Sequence, residues 1–292
     1  MDQAAPERPA TIHDRVRARM PDLTDAERRL AAHLLDRSLV PGLQSVHRLA
    51  QEAEASAPTV VRLARKLGFR GFPELQDAIR GEVAARVRPP LARMDDWDAP
   101  DPGHRLARFA RAATGNIART LDRLDLAGFD RAAAMLADPA RRLHLAGGRI
   151  TRSNALAFAG HLQLIRAGVV VLDPAPAAWP QALLDVGPSS VLVLFDIRRY
   201  ERDLERLAGI VAGQGGAVVL FTDQWGSPAE RHAAITFRAH VEAPSAWDST
   251  LALALLVEAL AAEVQRRIPG AASERIRALE ETLGQTRAFR TE

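Results

Sequence analysis

The chain has 292 residues, no cysteine and a formal net charge of +3. That length has room for two domains, and the missing cysteines exclude disulfides, thiolate metal sites and cysteine nucleophiles. No apolar run is long enough to span a bilayer, and the start Met1-Asp2-Gln3-Ala4-Ala5-Pro6-Glu7 lacks a secretory pattern. A cytoplasmic protein that needs no membrane is expected.

Charge is unevenly placed. Residues 1–90 hold 15 Lys/Arg against 12 Asp/Glu, whereas the remainder balances. The excess is modest and does not by itself argue for nucleic acid.

Residues 11–85 read as all-helical. A first helix is expected near 12–19. Thr24 caps a second, with Asp25 and Glu27 at the positive end of its dipole and Leu30, Leu34 and Leu35 on its apolar face. Pro41-Gly42 breaks it. Ser45 caps a short helix through about Ala53, and Ser56 caps the next, with Pro58 tolerated in its first turn.

That last helix is the most informative stretch. Val60, Leu63, Ala64 and Leu67 make one apolar stripe, while Thr59, Arg62, Arg65 and Lys66 lie off it, with Arg70 just beyond. No acidic residue occurs between Glu54 and Glu74. Two short helices joined by a tight turn, the second basic, form a helix-turn-helix suited to the major groove. Arg62, Arg65, Lys66 and Arg70 are expected at phosphates or base edges, Thr59 at a base edge, and Ser45 and Ser56 at phosphates. Phe69 and Phe72 are expected to pack against the bundle.

Residues 86–103 read as a linker, with Pro89, Pro90, Pro100 and Pro102 and an acidic patch at Asp95, Asp96 and Asp98. From 104 the pattern changes. Helices near 104–122 and 127–137 precede short apolar strands at 143–146, 169–172, 191–195, 217–221 and a weaker one near 234–241. Helices near 152–167, 179–185, 200–213 and 247–266 alternate with them, and 272–288 closes the chain. This alternation predicts a parallel sheet covered on both faces. His144 is expected to be a packed strand residue, and Trp247 to pack in the core.

The words Leu23-Thr24-Asp25-Ala26-Glu27-Arg28 and Thr59-Val60-Val61-Arg62-Leu63-Ala64-Arg65-Lys66-Leu67-Gly68-Phe69-Arg70-Gly71-Phe72-Pro73-Glu74-Leu75 closely resemble the RpiR/MurR family of bacterial transcription regulators. The resemblance implies two domains: an all-α helix-turn-helix domain at 1–85 and, after the linker at 86–103, an α/β SIS-type parallel-sheet sandwich at 104–292 that senses an effector and dimerises. The implied partners are a double-stranded DNA operator and a small molecule, with no cofactor. Where Glu54 stands, the family commonly has glycine, which predicts a strained turn.

The SIS half departs further. The family's Gly-x-Gly-x-Ser loop is here Gly147-Gly148-Arg149-Ile150-Thr151, and its Ser-x-Ser-Gly-x-Thr is Asp196-Ile197-Arg198-Arg199-Tyr200-Glu201. Either Asp196, Arg198, Arg199 and Glu201 pair together and plug a lapsed site, or the loops have been rebuilt for an anionic effector, with Gly147, Gly148, Arg149, Thr151 and Ser249 contributing. The residues Ser245, Trp247, Asp248 and Ser249 are placed to roof that cleft. A SIS-fold phosphosugar isomerase is the alternative from another class. It needs a general base beside a phosphate cradle, and the cradle residues are changed. The eight histidines are scattered without metal-ligand spacing, and no Gly-x-Ser-x-Gly occurs.

Overall fold

The structure, a computed structural model, describes residues 11–36, 39–94 and 103–286. The chain divides into two compact units, Met1–Pro89 and Pro90–Glu292.

The first unit is helical: α1 Ile12–Arg19, α2 Asp25–Asp36, α3 Val46–Glu52, α4 Ala57–Lys66 and α5 Phe72–Val87. Each start has a local cause. Thr11 and Asp14 form a reciprocal capping box on α1. Ser45 Oγ accepts from Arg48 N at 3.3 Å, and Ser56 Oγ accepts from Thr59 N at 3.3 Å. The ends are equally local. α3 stops where Glu54 takes φ 49°, and Ala55 N returns to Ala50 O at 2.8 Å. α4 stops at Gly68, φ 89°, with Phe69 N on Ala64 O at 3.0 Å. Both are left-handed helix ends of the type that glycine suits.

The core of this unit gathers Leu30, Leu34, Leu49, Leu63, Leu75 and Ile79, all fully buried. Each contributes about 1.5–3 kcal/mol by leaving water. Phe69 and Phe72 lie against it, as the sequence suggests.

The second unit opens with α6 Pro90–Met94, inside the stretch expected as linker; the acidic patch Asp95, Asp96 and Asp98 lies outside the described residues. Then follow α7 Arg105–Leu121, α8 Leu126–Ala137, β1 Arg142–Gly147, α9 Arg152–Ile165, β2 Val169–Val171, α10 Trp179–Leu183, β3 Ser190–Asp196, α11 Arg202–Gly213, β4 Ala217–Asp223, β5 Ile235–Ala239, α12 Leu251–Arg267 and α13 Pro269–Thr286. All strands are parallel, in the order β2-β1-β3-β4-β5. Register runs Leu145↔Val193 and Val193↔Val219 across the centre.

Alternate residues of each strand feed two cores. Leu143, Leu145, Val191, Val193 and Val219 face one that includes residues of α8, α9 and α12. Ala146, Leu192, Leu194, Val218 and Leu220 face another that includes residues of α11. On the first face Phe195 stacks on Phe221 at 4.5 Å, and Phe221 meets Phe237 at 4.9 Å. α7 is tied to the exit of β5: Asn116 Nδ2 donates to Glu242 O at 2.8 Å, and His240 N donates to Thr120 Oγ1 at 2.9 Å.

Strand order fixes where ligand chemistry belongs. From β1 the chain moves to β2 on one side, while β3 leads to β4 on the other. The crevice at such a reversal, outside the carboxyl ends of the strands, is where open parallel sheets bind ligands. Its walls are Gly147–Thr151 after β1 and Ile197–Glu201 after β3.

Candidate functional site

In the first unit, α3, the turn at 53–56 and α4 form the helix-turn-helix. Arg62 and Arg65 project from the exposed side of α4, and Ser45 and Ser56 are exposed at the starts of α3 and α4. Arg70 is exposed beyond α4, with Nε 3.2 Å from Glu74 Oε2. These five could meet a phosphate backbone.

Two of the expected contact residues have other tasks. Thr59 is 4% exposed, and its hydroxyl bonds Ser56 Oγ at 2.8 Å and accepts from Arg62 Nη2 at 2.9 Å. It orients Arg62 rather than facing a base. Lys66 Nζ lies 2.8 Å from Glu27 Oε2 and 2.9 Å from Asp22 O. Glu27 is 1% exposed and also accepts from Thr24 N at 2.8 Å. Burial opposes its ionisation, but the bonds from Lys66 and Thr24 outweigh that and hold its pKa below the ordinary value. Lys66 therefore fastens the end of α4 to the start of α2. The Thr24–Glu27 cap is legible in sequence; its third partner, 39 residues on, is not.

The second unit's cleft begins with a tight turn. A Cβ on Gly147 would sit 2.7 Å from Thr151 O, so only glycine lets β1 double back onto the start of α9. Thr151 Oγ1 donates to Phe195 O at 2.7 Å and accepts from Gly148 N at 3.0 Å, a buried clasp between the β1 and β3 ends. Arg149 is exposed, and its backbone N–H donates to Glu201 Oε1 at 2.7 Å. Arg199 is exposed and takes φ 69°. The left-handed turn expected of glycine is thus kept, with arginine in it, at a cost of roughly 1–2 kcal/mol.

Three acids stand behind these loops. Asp196 is 2% exposed and accepts from Ser227 Oγ and from Glu201 N; burial pushes its carboxyl up to about 7 against those bonds. Asp223 is fully buried and accepts from Tyr200 Oη at 2.7 Å, Arg198 N at 2.6 Å and Trp225 N at 3.0 Å. Burial raises its pKa, and those hydrogen bonds oppose the rise. Asp248 receives Arg198 Nε at 2.8 Å and Arg93 Nη2 at 2.9 Å. The Arg198 guanidinium also lies 4.3 Å over the Trp225 ring.

Several sequence expectations change accordingly. Asp196 and Thr151 shape the loops from inside rather than lining the cleft. Ser249 is 6% exposed and its hydroxyl accepts from Leu251 N at the start of α12. Arg198 is tied inward to Asp248. The exposed groups at the rim are Arg149, Arg199 and Glu201, with Trp247 half exposed at 51%. Trp247, expected in the core, instead lies with its ring 5.9 Å from the Arg149 guanidinium carbon. Sequence reading missed the roles of Asp223, Ser227 and Arg93, and gave Tyr200 none within its stretch; their partners Tyr200, Asp196 and Asp248 are set only by the fold.

The family model for the helix-turn-helix domain of the rpiR family matches residues 11–86, and the SIS domain model matches residues 135–263. The chain belongs to the RpiR family. It is a DNA-binding transcription regulator, with an N-terminal helix-turn-helix and a C-terminal SIS domain. Among relatives, it is 27% identical to the HTH-type transcriptional regulator HexR of Pseudomonas aeruginosa over 223 residues, 75% of each chain. It is 28% identical to the uncharacterised HTH-type regulator YfhH of Escherichia coli over 71% of this chain and 74% of that one. Among solved structures, the Vibrio vulnificus NanR protein, complexed with ManNAc-6P, aligns over 94% of this chain and 99% of its own, with TM-score 0.55 and 16% identity. The sugar isomerase domain of an RpiR factor from Sphaerobacter thermophilus covers 60% of this chain and 98% of its own, with TM-score 0.57 and 20% identity. At such identities these two structures support the fold.

Proposed function

We infer that this RpiR-family regulator reads an inverted-repeat operator as a cytoplasmic homodimer or higher homo-oligomer, and that its SIS domain senses a small anionic metabolite without transforming it. Arg62, Arg65 and Arg70, with the helix starts at Ser45 and Ser56, supply the DNA contacts. A short recognition helix covers few base pairs, so two-fold pairing of reading heads follows from the need for a longer site.

One observation carries the sensor reading. Arg199 occupies a left-handed position at the mouth of the switch-point crevice, where an exposed arginine costs stability and only its side chain offers a return. Arg149 stands across the crevice on the other loop. Two guanidinium forks suit a carboxylate or phosphate gripped by side chains.

The competing reading is a lapsed site, and the inward pairing of Arg198 with Asp248 favours it. Thermal melts of the full chain against carboxylates and sugar phosphates, N-acetylmannosamine 6-phosphate included, separate the two. A ligand that raises the melting temperature and changes operator affinity supports sensing. A regulator that binds its operator but responds to no ligand supports the lapsed site.

A further inference from the structure

The loop after β1 already holds an anion, and that anion is the chain's own. Arg149 N–H donates to Glu201 Oε1 at 2.7 Å. A Cβ on Gly148 would lie 2.8 Å from the same oxygen, so the gap that glycine leaves is filled by this carboxylate. The preceding amide is satisfied internally, since Gly148 N donates to Phe195 O at 3.1 Å and to Thr151 Oγ1 at 3.0 Å. The Glu201 backbone is anchored in turn, its N–H donating to Asp196 Oδ1 at 3.3 Å. The fold thus anchors the backbone that carries this carboxylate and offers its side chain the Arg149 amide.

We propose that Glu201 is the specificity residue of the cleft: it occupies the anion position of the Gly147–Thr151 loop, refuses a phosphate there, and selects a small carboxylate that also carries an amine. The proposal rests on the sensor reading above and names its ligand class. A dianion brought to the Arg149 amide meets a like charge that already accepts from that amide, and at hydrogen-bond range the two repel even on an exposed rim. A carboxylate that has accepted one N–H keeps lone pairs for further donors, and an ammonium is the strongest of these. The ligand's own carboxylate then falls to the exposed forks of Arg149 and Arg199. Trp247, half exposed beside the Arg149 guanidinium, offers an apolar face to the ligand's carbon skeleton.

The test uses the full chain and two variants, Glu201→Ala, which empties the position, and Glu201→Gln, which keeps its size without the charge. Calorimetry is run with inorganic phosphate, glucose 6-phosphate, a set of α-amino acids and the matching α-hydroxy acids. Wild type is expected to ignore inorganic phosphate at millimolar concentration, and Glu201→Ala to bind it at least tenfold more tightly. An amino acid bound by wild type should lose at least tenfold in Glu201→Gln and exceed its hydroxy counterpart in wild type. Phosphate binding that is equal in wild type and Glu201→Ala overturns the proposal, whether both bind or both refuse. A wild type that binds none of the amino acids overturns the ligand class. Circular dichroism and operator binding of the variants confirm that they fold. A ligand that shifts operator affinity in wild type and in both variants alike would sink the role of Glu201 while leaving the sensor reading standing.

Discussion

Arg93 Nη2 lies 2.9 Å from Asp248 Oδ1, and both side chains are about nine-tenths buried. Asp248 stands just before α12, in the segment that rims the cleft, whereas Arg93 belongs to the short helix α6 that opens the second unit. Arg198, from the loop after β3, grips the same carboxylate. One acid thus gathers three chain segments. Removing it leaves two guanidinium groups without that acceptor in a dry setting. Asp248→Ala should cost about 3–5 kcal/mol, and Arg93→Met, which spares the Arg198–Asp248 pair, markedly less. Urea unfolding of both variants measures the difference, and equal losses would deny the shared role of Asp248.

Lys66 separates folding from DNA contact. Lys66→Met leaves the buried Glu27 carboxylate without its cation, and should destabilise the helix-turn-helix unit by about 1–3 kcal/mol. Arg65→Ala, exposed on the same helix, should change stability by under about 0.5 kcal/mol yet weaken DNA binding. Melting curves and gel shifts on both variants decide it; the reverse pattern would return Lys66 to the interface.

Glu54 and Arg199 share a conformation, at φ 49° and φ 69°. Glycine at either position relieves the left-handed strain but loosens the unfolded chain, so a net gain of roughly 0.5–1 kcal/mol is expected from Glu54→Gly and from Arg199→Gly. Arg199→Gly should also weaken any effector response. Unchanged melting temperatures in both variants would show that these turns are not strained.

Two buried ionisable groups give the second unit opposed pH dependences. His144 is 7% exposed, with neither ring nitrogen hydrogen-bonded, and burial lowers its pKa. Its neutral form suits the folded state, so stability falls as pH drops below the ordinary histidine value. His144→Leu removes an unsatisfied polar ring and should add about 1–2 kcal/mol near neutrality, and more in acid. Asp196 acts the other way. Its pKa rises from 3.8 to about 7, so its protonated form suits the folded state, and stability is lost as pH climbs through that window. Asp196→Asn should raise the melting temperature at pH 8, with the gain fading toward pH 4. A gain that is constant with pH would mean that Asp196 does not titrate there.

Period and caps made much of this fold legible. The 3.6-residue stripe of Val60, Leu63 and Ala64, the caps Ser45 and Ser56, and the short apolar strands all stand in the sequence and in the structure alike. α12 begins at Leu251 rather than near 247, because Ser249 N turns back to Val241 O at 2.8 Å and holds the preceding residues as a loop. The site was legible as two loops at strand ends, but not as an arrangement. Whether an arginine faces out, as Arg149 and Arg199 do, or inward, as Arg198 does, depends on acids distant in sequence. Asp248 is 50 residues from Arg198 and 155 from Arg93. No local pattern encodes such pairings.

We infer that α4 reads DNA through Arg62 and Arg65. Footprinting of the full chain on the DNA flanking its own gene, followed by anisotropy titrations at two salt concentrations, tests it most directly. The expected result is a protected inverted repeat with half-sites about 10 base pairs apart or a multiple of that, and affinity that falls steeply with salt. Arg62→Ala should cost about 1–3 kcal/mol and relax preference at one base pair. Affinity and preference left unchanged by Arg62→Ala and Arg65→Ala together would contradict it.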